Sequence, residues 1–247
     1  MEKEADTGNS ERLKREKDHA RALIQKNFRS WGWQTPAGQI RYRRRLDFLC
    51  GVHSKPNIRI MEIGAGTGTY SIGLSKKFKN FIAIDISRDL IEKARSQNTG
   101  VQFEVMDAHN LTIPDNTLDA IVGCSVLHHL DWDKALHSMF NKLKSGGVIR
   151  FSEPNLLNPQ IFFQKRIPFL KQIAGDSPDE TAFTAHEIRV SLFKSGFSNI
   201  RVESYEFLHP KIPKKCIKIV MQIEKVLEQI PLRAFAGSLL IEATKRK

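Results

Sequence analysis

The stretch MEIGAGTGTY, Met61 to Tyr70, decides the fold. It closes a short apolar run, IRIMEI (58–63), and opens a helical pattern near 70–78. Glycines at 64, 66 and 68 let the backbone turn tightly at the carboxyl end of a strand and approach a ligand closely. The helix that follows offers its unpaired N–H groups to the same place. The next apolar run, NFIAID (80–85), ends in Asp85, where a carboxylate can accept both hydroxyls of a ribose. A glycine cluster alone marks no more than a turn. A strand before it, a helix after it and an acid closing the second strand make it a site for a nucleotide-like cofactor. The dinucleotide fingerprint G-x-G-x-x-G would need glycine at 69, where Thr69 stands, so the pattern is E-x-G-x-G-x-G starting at Glu62.

Outward from this unit the chain keeps alternating. VQFEVM (101–106), LDAIVGC (118–124) and GVIRFS (147–152) read as further buried strands, with helix patterns at 87–97 and about 132–143 between them. Such alternation predicts an α/β fold, a doubly wound parallel sheet with right-handed crossovers. Thr184 and Glu187 form a capping box that opens a helix to about Ser195. Two more strands follow, NIRVESYEF (199–207) and SLLIEATK (238–245). Upstream, Thr35 and Pro36 start an amphipathic helix, with Tyr42, Leu46 and Leu49 on one stripe and Gly51 closing it. Arg41 and Arg45 flank that stripe and Arg44 lies nearly opposite. Residues 1–35 read as a charged, solvated helical arm and 36–247 as one domain.

At 247 residues with 40% hydrophobic and 27% charged residues the chain can bury a sizeable core, and no run suggests a membrane span. The charged start reads as no signal peptide. Cys50, Cys124 and Cys216 are few, scattered and odd in number, which excludes a disulfide framework and a CxxC zinc site and predicts a reducing, cytoplasmic setting. A net charge of +12 favours anionic partners. The stretch WGWQTPAGQIRYRRR (31–45) sets aromatic rings among arginines, as either a nucleic-acid groove or a lid over an anionic small molecule could.

From about Arg41 to Lys247 the sequence resembles the class I methyltransferases that use S-adenosylmethionine. The resemblance implies a Rossmann-like seven-stranded sheet with an antiparallel last strand. It implies that Gly64, Ala65, Gly66 and Gly68 cradle the cofactor, Glu62 helps hold its methionine end, Asp85 holds the ribose, and Ile86 packs on the adenine. Asp107 and Ala108, after the third strand, would read the adenine edge, and Cys124 in CSVLHHL would lie near the sulfonium. In relatives of the ubiquinone and menaquinone methyltransferase kind the position of His129 is usually histidine. His129 is therefore expected to be structural or cofactor-facing. His128 is the candidate general base, its alternative being a cap on the next helix. No further ligands cluster nearby in sequence, so no metal site is expected.

Two segments leave the core pattern, about 153–183 and 208–237, and both should roof the substrate side. The first mixes Ile161, Phe162, Phe163, Ile167, Phe169, Leu170 and Ile173 with Lys165, Arg166 and Lys171. It suits a pocket, or a peripheral contact with a membrane surface, for an amphiphilic acceptor. In the second, Cys216, Ile219, Val220, Ile223, Val226 and Leu227 form an i, i+3, i+4, i+7 stripe that reads as an additional core helix. The function expected is methyl transfer to a small-molecule acceptor, at an oxygen of a lipid-like or glycan compound. The alternatives are an RNA methyltransferase and a nonenzymatic cofactor-binding module. Against RNA stand the absence of an NPPY-like tetrapeptide after the fourth strand and of an appended RNA-binding module. Trp31, Trp33 and Tyr42 are then lid and packing groups. Arg41 is expected to turn inward to the cofactor's carboxylate, and Arg43, Arg44 and Arg45 to be solvated or paired.

Overall fold

The computed structural model describes residues 18, 21, 32–52, 57–97, 99–174, 176–177 and 180–246. The expected N-terminal arm, apart from Asp18 and Arg21, and the role expected of Trp31 lie outside the described residues. Helix α1 (Pro36–Cys50) starts where the sequence places it, with the Thr35 hydroxyl accepting from the Gly38 N–H. There follow β1 (Arg59–Ile63), α2 (Ser71–Ser75), β2 (Asn80–Asp85), α3 (Arg88–Arg95), β3 (Gln102–Val105), β4 (Leu118–Cys124), α4 (Trp132–Lys142) and β5 (Leu143–Pro154). The chain continues through α5 (Pro159–Arg166), α6 (Pro168–Ala174), α7 (Ala185–Lys194), β6 (Phe197–Tyr205), α8 (Ile217–Leu227) and β7 (Ser238–Lys245). The capping box at Thr184 and Glu187 forms as expected.

The seven strands make one sheet in the order β3-β2-β1-β4-β5-β7-β6. β1 to β5 pair in parallel, and β7 runs antiparallel to both β5 and β6. The central strands carry apolar residues on both faces because helices cover both. On one face Met61, Ile121, Leu136, Met139, Leu192 and Phe151 pack together. On the other Ile60, Ala83, Leu49, Leu74 and Ile91 do so. The order reverses direction between β1 and β4, so the crevice at their carboxyl ends is where an open α/β sheet takes its ligand.

β5 starts four residues earlier than its sequence pattern, at Leu143, which pairs with Leu118 ahead of a register shift where Gly146 takes φ +78. The larger departure is α8, where the apolar stripe is not a core face. Ile219, Ile223 and Val226 are 59%, 53% and 60% exposed, while Ile217 and Glu224 are the buried positions. Glu224 turns inward because its carboxylate accepts the Phe207 N–H and pairs with Arg44 at 2.8 Å.

Candidate functional site

A cleft of about 650 Å³ opens over the carboxyl ends of the strands. Its floor on one side is the glycine loop. Gly64 has φ +72, and a Cβ there would lie 2.4 Å from Val126, so this turn admits glycine alone. Gly66, at φ +54, has nothing within 4 Å of where a Cβ would point. Its bare backbone therefore faces open cleft. The Asp85 carboxylate clamps the loop, one oxygen accepting the Gly66 N–H at 2.8 Å and the other the Ser87 N–H at 2.9 Å. Burial pushes Asp85 above the usual carboxylate range, opposed by those backbone donors.

Gly64, Ala65, Gly66, Asp85, Ile86, Asp107, Ala108, Cys124 and His129 all line this cleft. Asp107 accepts from the His109 backbone at 2.9 Å and its ring Nδ1 at 2.7 Å. The His109 Nε2 then accepts the Asp131 N–H at 3.1 Å, so the ring bridges the two loops. Two residues expected at the cofactor stand behind the wall instead. Gly68 has φ +83 and sits over Phe103. Glu62 is 2% exposed and takes its hydrogen bond from Ser71. Burial pushes it up to about 8, so near neutral pH it is largely a protonated wall group rather than a charged ligand to the methionine end.

The arginines also sort differently. Arg41 and Arg45, one turn apart on α1, both reach the buried Glu206 carboxylate, at 3.0 and 2.6 Å. Arg45 adds Ser238 at 2.9 Å, and Arg41 donates to the Leu208 carbonyl at 2.9 Å. The inward arginines are thus two, and Glu206 is the anion they share. Arg41 borders the cleft already engaged, not as a free guanidinium awaiting a carboxylate. Trp33 and Tyr42 close against Tyr70, with ring centroids 5.7 and 5.0 Å away, which makes them packing groups at the cleft wall.

His128 is not placed as a free base. It is 3% exposed, with Nδ1 2.7 Å from Glu153 and Nε2 3.2 Å from Glu180. Burial opposes its charge, but the hydrogen bonds and charges of both carboxylates outweigh burial and raise it to about 9. A cation that donates from both nitrogens has no lone pair to take an acceptor's proton. Glu153 uses its other oxygen to accept the Val126 and Leu127 N–H groups at 2.9 and 3.0 Å, fixing the short turn Leu127–His129. Glu180 in turn pairs with Lys165 of α5, which reaches Asp176 at 2.9 Å. This chain of charges ties the roof to the sheet. The ligand atoms of His128, His129 and Glu180 lie within 4.8 Å of one another, but the Lys165 ammonium already supplies a cation there. Glu153, Glu180 and Glu206 were not singled out from sequence, and Lys165 was read only as part of the basic roof. Only Glu153, an acid closing the fifth strand in FSEP, carried a signal resembling that of Asp85.

Fold and cleft together have the form of the class I S-adenosylmethionine-dependent methyltransferases, and the chain carries a methyltransferase domain of that kind. Residues 60–147 match the methyltransferase domain family. The ubiquinone/menaquinone biosynthesis C-methyltransferase of Vibrio cholerae is 30% identical over 155 residues, covering 56% of this chain and 59% of that protein. The malonyl-[acyl-carrier protein] O-methyltransferase of Geobacter sulfurreducens is 26% identical, covering 72% of this chain and 70% of that one. Among solved structures, a SAM-dependent methyltransferase from Thermotoga maritima, a possible histamine N-methyltransferase, superposes with a TM-score of 0.67 at 20% identity. It covers 93% of this chain and 99% of its own. The cofactor of the class, S-adenosylmethionine, fits the bare Gly66 backbone and the clamped Asp85 carboxylate.

Proposed function

We propose that the protein transfers a methyl group from S-adenosylmethionine to a small-molecule acceptor, at an oxygen of a lipid-like or glycan compound. One observation carries this reading. The cleft that holds Gly66, Asp85 and Asp107 continues without a break to Ile161, Gln164 and Ile173 of the roof, so cofactor and acceptor share one chamber. Gly64, Ala65, Gly66, Asp85, Ile86, Asp107, Ala108, Cys124 and His129 hold the cofactor, whose sulfonium supplies an already activated methyl group. The protein's task is then alignment and exclusion of water. With His128 held as a cation, an acceptor oxygen that arrives ionised suits the site better than a neutral alcohol. The three relatives above are named for transfer to carbon, oxygen and nitrogen, so the choice of oxygen rests on the roof's mixed apolar and basic lining.

Labelled S-adenosylmethionine incubated with the protein and cell extract, followed by separation of lipid, glycan and RNA fractions, tests the proposal. Label in the lipid or glycan fraction supports it, and label in RNA alone overturns it. Tight binding of the cofactor with no transfer to any fraction would leave the nonenzymatic module in its place.

A further inference from the structure

Among the described residues, twelve of the fifteen exposed large hydrophobic side chains lie in two segments, Leu157 to Ile173 and Ile219 to Phe235. Phe163, Phe169 and Ile173 are 55%, 67% and 66% exposed. The two segments adjoin. Asn158 donates to the Phe235 carbonyl at 2.8 Å, Asn155 to the Ala234 carbonyl at 2.9 Å, and Gln160 meets His209 at 3.2 Å. The first segment borders the mouth of the cleft, which Ile161 and Ile173 line from the same helices, and the second adjoins it through the Ala234 and Phe235 carbonyls. A patch this large on a folded chain marks a contact surface.

Charge selects the partner. From Asn155 to Ala174 the sequence holds no acid, and besides Lys165, which is spent on Asp176 and Glu180, it holds Arg166 and Lys171. From Phe207 to Phe235 it holds Lys211, Lys214, Lys215, Lys218, Lys225 and Arg233 against two acids, of which Glu224 is buried on Arg44. Lys214 and Lys218 also border an apolar groove between α1 and α8. Greasy side chains ringed by cations match the boundary between anionic headgroups and acyl chains. They do not match a second copy of the same face, where like charges would be set against each other.

We propose that the rim formed by α5, α6 and α8 docks the protein on an anionic phospholipid bilayer, with the cleft mouth facing the lipid. The inference concerns binding alone and is read without turnover, so it stands or falls apart from the proposed methyl transfer. Co-flotation of the full chain with vesicles of phosphatidylcholine and phosphatidylglycerol, against pure phosphatidylcholine, tests it. Binding to the mixed vesicles that weakens as salt rises is expected. Lys214→Gln, Lys215→Gln and Lys218→Gln should each weaken it about fivefold. The exposed pair Phe163→Ser and Phe169→Ser should abolish it while thermal unfolding stays unchanged. Equal binding to neutral vesicles, no binding to either, or undiminished binding by the phenylalanine variant overturns the proposal. So does a stable dimer in sedimentation that the phenylalanine variant disperses.

Discussion

Asp85 spends each carboxylate oxygen on one backbone N–H, that of Gly66 and that of Ser87, so the residue that would hold the ribose also sets the shape of the loop. Asp85→Ala should therefore lower cofactor affinity about tenfold to a hundredfold, the range for hydrogen bonds to a charged group. Titration calorimetry with S-adenosylhomocysteine checks this. Glu62 should behave in the opposite way. Its buried carboxyl is protonated up to about pH 8, so Glu62→Gln keeps a neutral hydrogen-bonding group and should leave cofactor affinity within about twofold. It should also raise the melting temperature above pH 8, where the native chain must bury a charge. Asp85 was legible because a strand end is fixed by the apolar period alone. The partners of His128 were not, since Glu153 and Glu180 lie 25 and 52 positions away and only the fold brings them to one imidazole.

The same division holds at the scale of elements. All seven strands were legible, because buried parallel strands are short apolar runs between turn residues. Helix α8 shows the limit. Its stripe is regular, yet a stripe says only that two faces differ, and the buried Glu224 with Arg44 sets which one turns inward. Helix α1 is held by similar chemistry. Arg45 is buried against Glu206, Ser238 and the Cys124 sulfur, with its ring-stacking side over Trp33 at 5.4 Å. Truncation as Arg45→Ala would leave Glu206 buried with Arg41 alone and should cost about 3–5 kcal/mol in chemical denaturation. Arg41→Ala removes the second, less buried partner and should cost less. If it also leaves cofactor affinity unchanged, the engagement of Arg41 with Glu206 and Leu208 is its whole role.

Over the whole molecule, the buried ionisable groups set a pH window for stability. His128 is raised to about 9 by the Glu153 and Glu180 carboxylates, against the cost of burial. Its contribution is complete below the unfolded value near 6.5 and is lost as pH climbs through about 9, on the order of 3 kcal/mol in all. Glu62 adds a loss of the same sign, because between its unfolded value and about 8 the unfolded chain ionises freely while the folded chain keeps its buried proton. Glu180 works from the other side. Despite burial, the hydrogen bond and charge of His128, with His129 and Lys165, hold it well below the usual range, so its stabilisation fades as the unfolded carboxylate protonates in acid. Stability should therefore peak near pH 5, fall as pH rises above it, and fall more steeply between about pH 6.5 and 8, where both groups contribute. Urea denaturation across that range checks the shape of the curve. His128→Asn can still donate to Glu153 but cannot titrate, so its curve should start lower and be shallower between about pH 6.5 and 9, keeping the Glu62 slope up to about pH 8. A slope as steep as that of the native chain would place the responsible proton elsewhere.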